Sequence, residues 1–278
     1  MGRISDALRK MDDHNEDRRQ TNKSSVKTGD SAAQSSQAST RREREQVNYN
    51  GDFPKVLFGE ISPLIFVYYD VSQEAIEEMR HICSTLLSLP ERLFMFTSAQ
   101  PSEGKTIALI NTSMALAKHF SQKVLYIDAD MRAPESSLSY LDLPERKLNG
   151  FSDVLSGDVE PDEAVISTEI DGLFLMPRGK KIALDRVSSD FISSLLFKLK
   201  NRFDFVFVDA PPVRAFSDPR LIARGVEAVV VVVRMNNTPR GSVKHAVQLL
   251  RDSSSVPIYF ILNAVHNYVP GRKTGAYY

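Results

Sequence analysis

The sequence predicts an α/β protein with a doubly wound, mostly parallel sheet. Three observations predict it: short apolar runs alternate with helical patterns, one run leads into a glycine–lysine–threonine turn, and two runs end in aspartate. Alternating strands and helices imply right-handed crossovers, which place helices on both faces of the sheet. With 42% hydrophobic residues and a formal net charge of zero, the composition supports a full core. The overall charge gives no reason to expect a nucleic acid partner.

Composition divides the chain into a polar N-terminal part and a globular part. Residues 1–52 contain few large apolar side chains, so we expect a disordered tether, because such a segment cannot offset the entropy of ordering. Within it, Ile4, Leu8 and Met11 share one helical face, which predicts either a short docking helix or a frayed terminus. No apolar run is long enough to cross a bilayer, and no secretory signal is visible. These features predict a cytoplasmic location, with any membrane contact made through a partner.

Residues 53–267 are expected to form one domain of alternating helices and strands. Its first helix has apolar residues at helical spacing and ends before Pro90. Strands are predicted at Leu93–Thr97, Val124–Ile127, Leu173–Met176, Phe205–Val208, Ala228–Val233 and Ile258–Leu262. Helices are predicted at Gln73–Leu89, Lys105–Phe120, Asp190–Lys200, Asp218–Arg224 and Gly241–Asp252.

A turn that is typical of phosphate binding follows the first predicted strand. The segment Ser98-Ala99-Gln100-Pro101-Ser102-Glu103-Gly104-Lys105-Thr106 leads from this strand into a helix. Backbone N–H groups at a helix start attract phosphate, and Gly104 lets the backbone approach it closely. Lys105 would bridge the β- and γ-phosphates, and the Thr106 hydroxyl would bind Mg²⁺. The residues predicted to line the nucleotide here are Ser102, Glu103, Gly104, Lys105, Thr106 and Ile107.

This turn departs from the general pattern at one position. Ala99 stands where a phosphate-binding loop usually has its first glycine. A loop that merely uses Gly104 as a turn is therefore the alternative interpretation.

Carboxylates follow two more of the predicted strands. Asp128 and Asp130 come after Val124–Ile127, and Asp209 comes after Phe205–Val208. Open α/β sheets bind ligands at the carboxyl ends of their strands. A carboxylate beyond an apolar strand needs a cation, and Mg²⁺ on phosphate supplies one. Each motif alone is also compatible with a helix cap or a turn, but three motifs in order favour a nucleotide site.

Together these motifs resemble those of the bacterial tyrosine kinases, cytoplasmic modules paired with polysaccharide copolymerases. The family's Walker A, A′ and B motifs are similar to Ser98-x-x-Pro101-x-x-Gly104-Lys105-Thr106, Asp128-x-Asp130-x-Arg132 and Asp209-x-Pro211-Pro212. Further similarity lies in Gly150–Gly157 and in Phe216-Ser217-Asp218. The resemblance implies a P-loop NTPase fold of the deviant Walker type.

The resemblance also implies an activity and a set of residue roles. The activity is that of an ATP- and Mg²⁺-dependent protein-tyrosine autokinase that regulates exopolysaccharide or capsule synthesis and export. Asp130 and Asp209 would complete the magnesium shell, and Asp128 would accept the proton of the incoming tyrosine. Arg132 would contact phosphate or a neighbouring subunit, and Asn263 is similar to the family residue that faces the adenine.

The resemblance implies partners as well. These are a membrane-embedded copolymerase, which would hold the chain at the inner or plasma membrane, and further copies of the chain in a homo-oligomer. The family's oligomer helix carries Glu-x-x-Arg-x-x-Arg, of which Glu77 and Arg80 match here. Cys83 takes the place of the last arginine, and His81 and Arg92 are alternative cations nearby.

The C-terminal residues 268–278 are predicted to be a flexible, tyrosine-bearing tail. Tyr268, Tyr277 and Tyr278 are candidate phosphoacceptors, although an ordinary disordered end has the same composition.

Two other functions fit the same motifs. A non-kinase ATPase of the partitioning and septum-site type shares the fold, but that group has an early lysine in its P-loop where this chain has Gln100. A regulatory pseudokinase that binds nucleotide is the other alternative. Ala99, Cys83 and the short tyrosine tail leave room for it.

Overall fold

The computed structural model describes residues 53–70, 72–143, 148–184 and 187–264. The predicted tether and the predicted tyrosine tail lie outside these residues. Every helix in the described part is too short or too polar to cross a membrane.

A seven-stranded sheet runs through the described part of the chain, in the order β3-β4-β2-β5-β1-β6-β7. Every neighbouring pair is parallel except β3 and β4. The strands are β1 (Leu93–Ser98), β2 (Val124–Asp128), β3 (Ile166–Ser167), β4 (Leu173–Met176), β5 (Phe205–Asp209), β6 (Ala228–Arg234) and β7 (Ile258–Asn263). The predicted sheet class is confirmed. The two-residue strand β3 was not predicted, because so short a segment shows no alternation.

Helices cover both faces of the sheet. They are α1 (Phe66–Tyr69), α2 (Gln73–Ser88), α3 (Lys105–Phe120), α4 (Phe151–Leu155), α5 (Pro161–Ala164), α6 (Ser189–Lys200), α7 (Asp218–Ile222) and α8 (Arg240–Arg251). A 3₁₀ turn at Ser137–Leu141 follows β2. The four long helices match the predicted positions. The short helices α1, α4 and α5 were not predicted, because one turn of helix gives no usable period.

Two apolar layers hold the sheet between these helices. Helices α2 and α3 pack on one face and α6, α7 and α8 on the other. The central strands β1, β2 and β5 are buried at every position, which explains their uninterrupted apolar sequences.

Strand order places the predicted motifs together. β1 lies between β5 and β6, and β5 also pairs with β2. In that register Asp128 of β2 lies directly beside Asp209 of β5, and the turn after β1 opens at the same edge. Three segments that are distant in sequence therefore meet at the carboxyl edge of the sheet.

Helix α2 buries Cys83, the residue that takes the place of the last arginine in the motif of the family that the sequence resembles. Cys83 is fully buried with Met79 against α3, and burial raises the pKa of its thiol to about 12. An arginine at this position would have to bury its charge in an apolar layer. Glu77 and Arg80 are exposed and form an ion pair of 3.3 Å within the helix.

The two alternative cations differ in availability. His81 is exposed on α2. The Arg92 guanidinium donates to the carbonyls of Leu89 and Glu91 and stacks over the Phe205 ring. His81 is therefore exposed to solvent, whereas the Arg92 side chain, which lies after α2, is already bound within the chain.

Candidate nucleotide-binding site

The phosphate loop between β1 and α3 has an unusual backbone shape. Ser102 and Gly104 both have positive φ, at 62° and 88°. Such a turn directs successive N–H groups toward one side, where an anion can bind. A Cβ at Gly104 would lie 2.2 Å from Nδ2 of Asn263, so this position requires glycine. No side chain caps α3 at Gly104, which leaves the first helical N–H groups facing the loop.

The predicted lysine and two predicted carboxylates meet in front of this loop. The Lys105 ammonium donates to Oδ2 of Asp130 at 2.8 Å and to Oδ1 of Asp209 at 3.0 Å. The Thr106 hydroxyl donates to Oδ2 of Asp209 at 2.7 Å. The structure therefore brings Lys105, Thr106, Asp130 and Asp209 to one place, as the sequence predicts.

Electrostatics in this cluster are those of a cation between buried carboxylates. Burial alone would lower the pKa of Lys105, but the charges of Asp209 and Asp130 outweigh it and raise that pKa above its ordinary value. Burial raises the pKa of Asp209 to about 6, against the opposing effect of the Lys105 charge. A second positive charge beside Asp209 would therefore stabilise the ionised form of this buried carboxylate.

The oxygen atoms of this cluster fit magnesium. Carboxylate and hydroxyl oxygens are the ligands that Mg²⁺ prefers, usually one or two from the protein with the rest from phosphate and water. The described residues contain no group of three or more His, Cys, Asp or Glu side chains that could hold a metal by itself. Thr106, Asp130 and Asp209 supply oxygen ligands of this kind and leave further positions to phosphate and water.

Asp128 lies beside this cluster but has different surroundings. Its side chain is almost fully buried, with the residue 1% exposed. Its Oδ2 accepts hydrogen bonds from the hydroxyls of Ser136 and Ser137 and from the Ser137 N–H. Its Oδ1 accepts one, from the Asp130 N–H at 3.2 Å. Oδ1 is thus the less occupied oxygen.

Arg132 pairs with another side chain of the same chain in this structure. It forms two hydrogen bonds to Asp218, at 2.8 and 3.0 Å, and stacks over the Phe216 ring. The Asp218 side chain is fully buried at the start of α7. The pair therefore connects the turn after β2 to the segment after β5. The Arg132 side chain is 35% exposed, and its bonds to Asp218 use two of the five guanidinium N–H groups, so a contact with phosphate or another subunit stays a prediction.

Glu103 was predicted to line the nucleotide, yet its side chain points into the protein. The carboxylate is buried and accepts from the Gln100 N–H at 2.9 Å and from the Thr238 hydroxyl. Asn263 donates to the Glu103 carbonyl at 3.0 Å, so the predicted adenine-facing residue also holds this loop. Glu103 acts as a clamp between the phosphate loop and the segment that follows β6.

Arg178 is a residue that the sequence analysis missed. It is only 1% exposed, and its guanidinium donates to the carbonyls of Asp130 and Ala133 at 3.1 and 2.9 Å. It therefore shapes the turn that presents the Asp130 carboxylate. Arg178 comes shortly after the apolar strand β4, and this position was the only sequence feature that pointed to the site. It is not specific, because surface arginines also follow strands.

Comparisons with known proteins identify the family. Residues 100–238, half of the chain, match the AAA domain family AAA_31. The chain is 27% identical over 224 residues to the putative tyrosine-protein kinase CapB of Staphylococcus aureus, covering 78% of this chain and 94% of that protein. It is similar to the kinase domain of the Escherichia coli tyrosine kinase ETK, with 25% identity, a TM-score of 0.66, and coverage of 79% and 86%.

A more distant structure shares the fold alone. It is the septum site-determining protein MinD of Pyrococcus horikoshii complexed with Mg-ADP, with 22% identity and a TM-score of 0.50, covering 62% of this chain and 69% of that one. The resemblance to bacterial tyrosine kinases is confirmed. The chain belongs to the AAA domain family AAA_31, and the relatives named above, CapB and ETK, are bacterial tyrosine kinases by name.

Proposed function

We propose that this chain is an ATP- and Mg²⁺-dependent protein-tyrosine autokinase acting in the synthesis and export of exopolysaccharide or capsule. The observation that carries the proposal is the position of the Lys105 ammonium, within 3.0 Å of both Asp130 and Asp209 at an open helix start. This combination of a cation, two carboxylates and a helix start without a side-chain cap suits a triphosphate with its metal. The relatives named above are kinases for tyrosine, which gives the acceptor class.

Positioning and charge stabilisation account for most of the chemistry. The N–H groups of Gly104, Lys105 and Thr106 would hold the phosphate oxygens, and Lys105 would turn from the carboxylates to the β- and γ-phosphates. Magnesium, when bound, would neutralise charge on these oxygens, and Thr106, Asp130 and Asp209 would hold it directly or through water. The side chains of this edge thereby stabilise the charge that develops in the transition state.

Transfer itself moves one phosphoryl group and one proton. The tyrosine oxygen forms a bond to the γ-phosphorus while the bond to the β–γ bridging oxygen breaks, and ADP leaves. The phenolic proton would pass to Asp128. We assign it to Oδ1, because three donors already occupy Oδ2. Since Asp128 is buried, the acceptor must open the turn after β2 to reach it.

The biological setting follows from the family resemblance. The tail tyrosines Tyr268, Tyr277 and Tyr278 would be acceptors in a neighbouring copy of the chain. A membrane-embedded copolymerase would hold the chain at the membrane, with residues 1–52 as the tether. Residues 53–267 would form the kinase domain.

The proposal is tested with the purified full-length chain, ATP labelled at the γ-phosphate, and Mg²⁺. We expect label on tyrosine in the chain, and loss of at least 90% of it in Lys105→Met, since this change removes the cation that holds the phosphates. The reaction is run with and without a cytoplasmic segment of the partner. Lys118→Met is the matched control, because Lys118 lies on α3 away from the loop and pairs with Asp70.

Other outcomes select the other functions. Free phosphate without labelled protein would establish a non-kinase ATPase. Bound ATP with neither product, even with the partner segment, would establish a regulatory nucleotide-binding protein.

A further inference from the structure

Tyr126 lies in the middle of β2, where an apolar residue would be expected. It is 1% exposed and packs in the layer formed with Phe96 and Phe207. In the parallel register it lies beside Phe207, and Asp209 follows two residues later on the same face of β5. A buried phenol needs a partner for its hydroxyl, because a buried polar group without a hydrogen bond destabilises the fold.

The Tyr126 hydroxyl finds its partner in the candidate metal site. It donates to Oδ2 of Asp209 at 3.1 Å. Burial, reinforced by the charge of Asp209, raises the pKa of Tyr126 well above its ordinary value. In this hydrogen bond the phenol O–H is the donor and the carboxylate oxygen the acceptor, as their chemistry requires.

Three side chains donate to the Asp209 carboxylate in this structure. Two of them, Lys105 and Thr106, belong to the proposed nucleotide and metal site and must reorient when the ligand binds. Tyr126 is anchored in a central strand and is covered by the sheet and α3, so it cannot follow the ligand. It is the one of the three donors that is independent of nucleotide.

We propose that Tyr126 is a positioning residue for the magnesium site, which fixes the orientation of the Asp209 carboxylate through its hydrogen bond to Oδ2. This inference rests on the proposed nucleotide function of the same site. Tyr126 is 1% exposed and lies behind the candidate metal site, so it would act through Asp209 rather than contact the nucleotide itself. A phenylalanine fills the same space but leaves the carboxylate free to turn.

The test is Tyr126→Phe in the full-length chain, with ADP affinity measured by titration calorimetry in Mg²⁺ and in EDTA. We expect ADP to bind about 3- to 10-fold more weakly in Mg²⁺, since one hydrogen bond to a carboxylate is lost, and to bind unchanged in EDTA. Raising the Mg²⁺ concentration should restore the affinity. The increase in melting temperature caused by Mg²⁺ and ADP should shrink in the same way.

Tyr259→Phe is the matched control. Its hydroxyl lies 3.4–3.5 Å from the Glu91 carboxylate at the opposite end of the sheet from the phosphate loop, so its magnesium dependence should equal that of the wild type.

Two outcomes would overturn the inference. One is a Tyr126→Phe chain that binds ADP in Mg²⁺ with wild-type affinity. The other is an equal loss in Mg²⁺ and in EDTA, since that would show general damage to the fold. Because the assay uses ADP, it needs no phosphoryl transfer. A chain that binds ADP and magnesium but never labels tyrosine would refute the kinase proposal and leave the role of Tyr126 standing.

Discussion

Glu103 places a carboxylate inside the phosphate loop without directing it at the phosphates. Its two oxygens hold the Gln100 N–H and the Thr238 hydroxyl, and its carbonyl accepts from Asn263. These contacts fix the loop from both sides before any ligand arrives. A loop already in its binding shape loses less entropy when phosphate binds.

Replacing Glu103 should therefore weaken nucleotide binding. We expect Glu103→Ala to reduce ADP affinity about 10-fold, because two half-buried donors lose their partner and the loop loosens. Glu103→Gln should retain most of the affinity, since its carbonyl oxygen can still accept from the Gln100 N–H. Calorimetry in Mg²⁺ measures both. Equal affinity of Glu103→Ala and wild type would show that the clamp is irrelevant to binding.

At the scale of elements, Glu227 ties a helix to the start of two strands. It precedes β6 and accepts hydrogen bonds from the N–H groups of Arg92 and Leu93 at 2.7 and 3.2 Å. It also pairs with Lys200 in the last turn of α6. Burial would raise the pKa of Glu227, but the hydrogen bonds from Lys200 and the backbone lower it below its ordinary value.

The stability that Glu227 provides should depend on pH. A carboxyl group with a lowered folded pKa stabilises the protein above its ordinary pKa of 4.5, and this stability is lost as the pH falls below that value. We expect Glu227→Gln to reduce the free energy of unfolding by about 1 kcal/mol at pH 7, because the charge-assisted bonds are lost. The difference from wild type should shrink as the pH falls below 4.5.

Urea unfolding at pH 7 and pH 4 measures this difference. Glu78→Gln, at an exposed position on α2, is the control and should show little effect at either pH. A gap between Glu227→Gln and wild type that stayed constant down to pH 4 would contradict the assignment.

At the scale of the whole molecule, the proposal to be tested is that one copy of the chain phosphorylates the tail tyrosines of a neighbouring copy. Within the described residues, Lys105 and Thr106 of α3 meet Asp130 and Asp209 of the same chain. Phosphorylation of a tail tyrosine adds close to two negative charges. Modification of several copies would therefore make an assembly of them repel itself.

Replacing Tyr268, Tyr277 and Tyr278 together by phenylalanine tests the tail. We expect phosphotyrosine on the chain to disappear, while ADP binding stays unchanged, because the nucleotide site lies elsewhere in the sequence. Antibody detection of phosphotyrosine after incubation with ATP gives the readout. Tyr69→Phe, on the surface of α1, serves as the control and should label normally. Undiminished labelling of the triple variant would exclude the tail as the acceptor.

The sequence by itself determined the elements that carry the chemistry. Long central strands and helices impose strong periods, and a phosphate loop is a local structure of strand, turn and helix start. Lys105, Thr106, Asp130 and Asp209 could be predicted because each follows the carboxyl end of a strand, and parallel strands present these ends at one edge.

Tertiary structure alone decided which side chains support those residues. Glu103 meets Thr238 across 135 positions, Arg132 meets Asp218 across 86, and Tyr126 meets Asp209 across 83. Cys83 is buried because α2 packs this face against α3. These contacts depend on the strand order and on the crossovers between strands, and neither can be predicted from the local preferences of short segments. The sequence pattern therefore predicts the residues at the carboxyl edge of the sheet, whereas only the tertiary structure shows which side chains contact and support them.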